Sequence, residues 1–333
     1  MQRANSASSQ NHFDFSKCIR YLGENVPLGK TCEWPTLGLI IATTAAWTLL
    51  ISSYSDWGGW IVCPLAVLLV TLQSSLQHEV LHGHPTRNAV LNEALIYCSF
   101  GLFIPYRRFK TLHLRHHNDD RLTDPYDDPE SFYLAWGDWQ KMPKVLRVVL
   151  TLNNTLAGRL LIGPAVSLVG FYGSEFRAVA SGDKGVARAW AHHVAGLVLV
   201  LAFVSIVGGI PPWFYVLAVA YPGMSLLMLR TYAEHRAHES AEARSVIVEF
   251  CPLFSLLFLN NNLHIVHHSH PRAPWYTLPK LYRDARDEWQ VRNQGYVFKS
   301  YLEMAKAFLF KVKEPVPHPL HRTVNADRAV PPS

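Results

Sequence analysis

The chain has 333 residues, of which 49% are apolar and only 17% charged, with a formal net charge of +6 and 10 tryptophans. That length allows one large domain or two ordinary ones, and the composition is too apolar for a disordered chain and more apolar than an ordinary soluble enzyme. Cys18, Cys32, Cys63, Cys98 and Cys251 share no close spacing, which argues against a disulfide framework or a cysteine-based zinc site.

Residues 1–30 read as a polar N-terminal tail, without the basic-then-apolar order of a cleaved signal peptide. Residues 31–312 carry the folded domain, and 313–333 form a Pro-rich C-terminal tail, expected to be disordered from Pro315 onward. Within the domain, four apolar runs approach the roughly 20 residues that a helix needs to cross a bilayer: 36–54, 57–76, 189–210 and 213–229. Only Ser55 and Asp56 separate the first two, and an uncharged turn around Pro211 and Pro212 joins the last two. Connections this short between runs this long suit a membrane better than a large soluble core. The predicted fold is therefore an all-α integral membrane protein of two transmembrane hairpins.

Basic residues set the expected orientation, since short cytoplasmic segments near membrane spans are enriched in them. Both hairpin tips lack them, whereas the segment between the hairpins carries Arg87, Arg107, Arg108, Lys110, Arg115, Arg121, Lys141, Lys144 and Arg147. Both termini and a helical cap are thus expected on the cytoplasmic side. The positive charge there suits anionic head groups or an acidic protein partner. Nucleic acid is not an expected partner, because no element concentrates arginine with interleaved aromatics. The stretches 91–109 and 146–171 are apolar with embedded polar residues and are expected to lie along the membrane interface.

Eight of the 17 histidines fall in three boxes on that same side, with His84 and His270 close beside them. The first is His78-Glu79-Val80-Leu81-His82, directly after the second run. The second holds His113, His116 and His117, and the third His264, His267 and His268. On a helix, residues at i and i+4, or at i, i+3 and i+4, project from one face, so each box presents two or three imidazoles to one point. Imidazole suits iron, copper, nickel and zinc. His84 and His270 each precede a proline and are expected at helix ends instead.

With these boxes and the two-hairpin layout, residues 36–276 resemble the membrane-bound fatty acid desaturase superfamily, which also contains hydroxylases and carotenoid ketolases. The resemblance implies a di-iron, dioxygen-dependent oxidoreductase, with a non-haem centre of two iron ions held at His78, His82, His113, His116, His117, His264, His267 and His268. The family draws one further histidine from the region after the last span. His235 is the best placed, with His238 about one turn further on. Asp124-Pro125 and Asp127-Asp128-Pro129 look like the acidic stretch often found after the second box, and read without the family they are a solvated turn. Asn261, three residues before His264, is a candidate for orienting a ligand imidazole, as is Glu79. The implied activity is insertion of a double bond into a lipid acyl chain. Because the chain has neither a GxGxxG fingerprint nor a CxxCH or clustered-cysteine pattern, electrons must come from a separate ferredoxin or similar carrier with its reductase.

Other readings remain open on the sequence. Hydroxylation and ketolation need the same histidines, and a non-lipid substrate such as dihydrorhizobitoxine is compatible with them. His78-Glu79-Val80-Leu81-His82 also matches the HExxH signature of an intramembrane zinc protease, and a non-catalytic metal carrier would use similar ligands.

Overall fold

A computed structural model describes residues 32–117 and 121–320. The tail 1–30 and residues 321–333 lie outside the described residues, as does Cys18.

Among the described residues, four helices are long and apolar enough to cross a membrane: α1 (Trp34–Ser52), α2 (Gly59–Leu81), α5 (Lys184–Val207) and α6 (Pro212–Glu234). Between α1 and α2 lies a single short turn of helix, Tyr54–Trp57, ended by Gly58 at φ 74°. At about 1.5 Å per residue each long helix reaches roughly the 30 Å of a bilayer core. Their outer faces are apolar and uncovered, with Trp60 96% and Ile206 82% exposed. That is expected of a surface made for lipid. α5 and α6 each contain a wide, π-type segment, at Phe203–Val207 and Val216–Ala220, and α5 begins at Asp183, whose carboxylate accepts from the Gly185 and Val186 N–H groups.

Because lipid is as apolar as the side chains, close packing and interhelical hydrogen bonds hold such helices together. α2 is the centre, packing against α1 and α6. Gly223 of α6 allows the approach, since a Cβ there would meet Val70 Cγ1 at 2.7 Å. Thr71 Oγ1 donates to Gly223 O at 3.1 Å across the same contact. Further along, Trp47 stacks on Phe100 with ring centroids 4.0 Å apart, Trp47 Nε1 donates to Tyr215 OH, and Tyr215 OH donates to Phe100 O. The loop around Phe100 is thereby held between the spans.

Two corrections to the sequence reading concern the elements that carry histidines. The second run was expected to end at 76, but α2 continues to Leu81 and contains His78. Its last turn is polar yet remains helical because His78 and Glu79 are buried against other protein elements and not exposed to lipid. The all-α expectation misses a two-residue parallel pair, β1 (Ile247–Val248) with β2 (Val297–Phe298). The chain leaves α6 extended at His235, doubles back through a 3-10 turn at Ala241–Arg244 so that Ser245 bridges antiparallel to His235, and then enters β1.

The other helices position the remaining boxes. α3 (Tyr106–His117) ends in the second box. It is tied to α4 (Gly163–Ala180) by a bidentate pair of Arg108 with buried Glu175, which also accepts from Trp190 Nε1 of α5. α7 (His264–Ser269) carries the third box. Residues 315–320, expected in a disordered tail, are instead docked: Leu134 N–H donates to Val316 O and His318 N–H to Leu134 O. Two backbone hydrogen bonds and the packing of His318 on Tyr133 offset the polarity of this segment.

Candidate metal centre

The fold gathers nine histidines into two groups, in each of which the donor atoms lie within 4.8 Å of one another. His78, His82, His113, His117 and His267 make the first group, and His116, His235, His264 and His268 the second. The groups adjoin, with the rings of His117 and His268 stacked at 4.1 Å. His238, His84 and His270 stay outside both. His238 Nδ1 accepts from Ser240 N–H, while the His270 N–H ends α7 by donating to Val266 O and His267 O.

Each HxxHH box is divided between the groups, which the expectation of one point per box misses. His113 and His117 go one way and His116 the other; His264 and His268 go one way and His267 the other. The helix explains this. At about 3.6 residues per turn, i and i+4 differ by roughly 40° around the axis, but i+3 lies about 60° on the other side of i. His78 and His82, also i and i+4, fall together in the first group.

Loop geometry sets the third box. Val246 O accepts from both His264 N–H and Ile265 N–H, and Asn262 Nδ2 donates to Val248 O at 2.7 Å, so the start of α7 is fastened to β1. Leu259 and Asn260 before it adopt left-handed backbone, at φ 50° and 57°. Such a conformation costs a leucine about 1 kcal/mol or more and is easier for asparagine. Asn260 Nδ2 also donates to Trp275 O.

Outside the rings, partners fix which nitrogen faces inward. His116 Nδ1 lies 2.8 Å from Asp128 Oδ1, His113 Nδ1 2.8 Å from Glu130 Oε1, and His264 Nδ1 2.9 Å from Asn261 Oδ1. At His113 and His264 the ring N–H donates outward, leaving Nε2 with its lone pair directed into the group, and at His116 Asp128 turns Nε2 toward the second group. Asn261 is in turn held by Glu234, to which its Nδ2 donates at 3.3 Å and which pairs with Arg230 at 2.7 Å. Burial, reinforced by neighbouring imidazoles, pushes His82 and His117 down to about 2 and His235, His264, His267 and His268 well below the usual range. These rings are therefore neutral, the form that binds cations. At His116 burial works the same way, but the Glu130 and Asp128 carboxylates outweigh it and raise the ring to about 9.

The inward nitrogens fit a metal ion. His264 Nε2 is 3.0 Å from His235 Nε2 and 3.1 Å from His268 Nε2, and His116 Nε2 is 3.2 Å from His235 Nε2. Donors about 2.1 Å from one cation and at right angles would be about 3 Å apart. In the first group, His78 Nε2, His82 Nε2 and His113 Nε2 are buried without a hydrogen-bond partner, and His267 Nε2 is 3.1 Å from His117 Nε2. Converging lone pairs of this kind repel unless a proton or cation lies between them.

Glu79 does not face either group. Its Oε1 accepts from Trp275 N–H at 2.9 Å and lies 3.8 Å from His84 Nε2, while His84 Nδ1 pairs with Glu33 at 2.7 Å. Together with Glu33 N–H donating to Pro85 O, this joins the start of α1 to the end of α2. The HExxH arrangement, with Glu79 as base beside a metal-bound water, finds no support in that geometry.

Sequence reasoning passed over Glu130, Glu234 and Lys313, and left Asp128 as equally a turn residue. The Asp-Pro stretch was the one available signal for Asp128. Lys313 had none: its Nζ crosses from the far end of the chain to donate to Tyr232 O at 2.6 Å, His235 O at 2.8 Å and Tyr296 OH at 2.9 Å. It thereby holds the backbone at the one histidine of the nine that belongs to no box.

A helical protein with four candidate membrane spans and two buried polyhistidine groups is the class that this fold and site define. Residues 55–300, more than half of the chain, match the fatty acid desaturase family, and the chain belongs to that family. Its members are generally di-iron and act on lipids, and membership supports an oxidoreductase. No curated protein matches the chain.

Proposed function

We propose that the chain is a dioxygen-dependent desaturase holding two iron ions, one in each histidine group, and that it converts a saturated bond of a lipid acyl chain into a double bond. The observation that carries this reading is the convergence of nine imidazoles, six buried and three half-buried, with the outward nitrogens of His113, His116 and His264 anchored on acceptors. Bound iron would supply the redox capacity that side chains lack: one dioxygen is reduced to two waters by two electrons and two protons from a separate donor and the medium, and by two electrons and two hydrogens from the two C–H bonds that break as the double bond forms.

The chain's own residues do the rest. Asp128, Glu130 and Asn261 orient three imidazoles so that Nε2 points inward, and Lys313 keeps His235 in place. Burial keeps bulk water from the site, which protects a strong oxidant from side reactions. A cleft of about 180 Å³ reaches His116, His117 and His268 from the side of Glu242 and Arg292, and an approach for dioxygen is assigned to it. The absence of basic residues at both hairpin tips supports a cytoplasmic placement of the site, where a ferredoxin-like carrier would deliver electrons.

The test is metal content together with product analysis. Purified protein is expected to hold about two iron ions per chain, and membranes containing it to accumulate an unsaturated lipid when donor and dioxygen are supplied. A single zinc, or an unchanged lipid profile with iron bound and donor active, would overturn the reading.

A further inference from the structure

On the membrane side of the first histidine group, a narrow cleft of about 90 Å³ lies between α2, α6 and the loop around Phe100, with Phe103, Leu227, Ser74 and Gln77 among its lining. Gln77 and Ser74 share one face of α2, three residues apart, and His78 stands one turn beyond Ser74 along that face. The cleft therefore leads toward the first group from below.

Two glutamines at this cleft behave differently. Gln73 is fully engaged, its Nε2 donating to Cys98 O at 2.5 Å and its Oε1 accepting from Phe100 N–H at 2.8 Å. Gln77 is only 6% exposed, and its Nε2 has no hydrogen-bond partner. Leaving a buried amide unsatisfied is unfavourable, and a hydrocarbon chain filling the cleft would make that permanent. A leucine or methionine at this position would suit a purely hydrocarbon occupant.

We infer that the cleft takes a substrate whose chain carries an oxygen function, hydroxyl or carbonyl, held by the Gln77 amide within a few bonds of the carbons that are oxidised. This rests on the desaturase reading and deepens it by naming the substrate class: an oxygenated chain in place of a plain acyl tail. Gln77 is then a specificity-determining residue. A site built to bond an oxygen function discriminates against the analogue lacking it more strongly than an apolar pocket distinguishes chain lengths.

Equilibrium binding tests this without turnover. Purified full-length protein in lipid nanodiscs is titrated with stearate and with a mid-chain keto-stearate, read by intrinsic tryptophan fluorescence. The wild type is expected to favour the keto probe about tenfold or more, and Gln77→Leu to bind both alike while keeping its affinity for stearate. Should Gln77→Leu fail to fold, as judged by size-exclusion profile, Gln77→Met makes the same comparison. A wild type with equal affinities, as when the amide holds only a buried water, would overturn the inference, and so would a preference that survives both substitutions. A wild type without the preference, but with iron content and lipid desaturation intact, removes the substrate class alone. Retained preference in a protein without iron removes the reaction alone.

Discussion

The two histidine groups share the second and third boxes, with His78 and His82 only in the first group and His235 only in the second, and they are supported in different ways. In the first group, only His113 has a carboxylate outside the ring, and three inward nitrogens have no protein partner. In the second, His116 leans on Asp128, His264 on Asn261 and Glu234, and the His235 backbone on Lys313. The first gains its order from density, with five rings from three helices, and the second from a surrounding network. Two sites of one centre can therefore fail by different routes, one through its rings and the other through its supports.

The largest expected effect comes from removing a ring from either group. His267→Ala should disable the first group and His264→Ala the second, each leaving about one metal ion per chain instead of about two and abolishing turnover. The double variant should be no less active than the singles, because the centre acts as a unit. Iron analysis and product formation per membrane-inserted protein check this, and near-normal turnover in His267→Ala would break the comparison at its root.

Next come the acceptors. Asp128→Asn should weaken metal binding in the second group by about 10- to 100-fold, and Glu130→Gln should do the same in the first. Chelator competition on each variant separates the two. An Asp128→Asn protein that loses the metal of the first group would show that the network does not serve its own site.

Lys313→Met sharpens the contrast further. Removing its ammonium leaves two buried carbonyls without their donor, at a cost on the order of 1–3 kcal/mol. Metal loss should be confined to the second group, with a modest fall in melting temperature. Equal loss from both groups would mean that Lys313 acts on the fold as a whole.

The smallest effect concerns sidedness. Lys141→Cys, at an exposed position, should leave activity unchanged and react with a membrane-impermeant maleimide only from the cytoplasmic face. Labelling from the outer face would invert the proposed topology.

Much of this was legible in the sequence because it depends on local periodicity. Runs of about 20 apolar residues announce spans wherever they occur, since no other solvent tolerates them uncovered. Histidines at i and i+4 share a helix face whatever surrounds them, so His78 with His82, or His113 with His117, pair by backbone geometry alone. What the sequence left open needed contacts between distant segments. The group that His116 and His267 each enter depends on how α2, α3 and α7 cross, and His235 is placed in the second group by its bridge to Ser245 and by Lys313. Glu79 shows the same limit from the other side: within the first box it looked like part of the site, yet the Trp275 backbone and His84 draw its carboxylate away. Spacing along a helix decides which residues share a face. Only the packing of that face against others decides what it meets, because burial and hydrogen-bond satisfaction are properties of the whole fold.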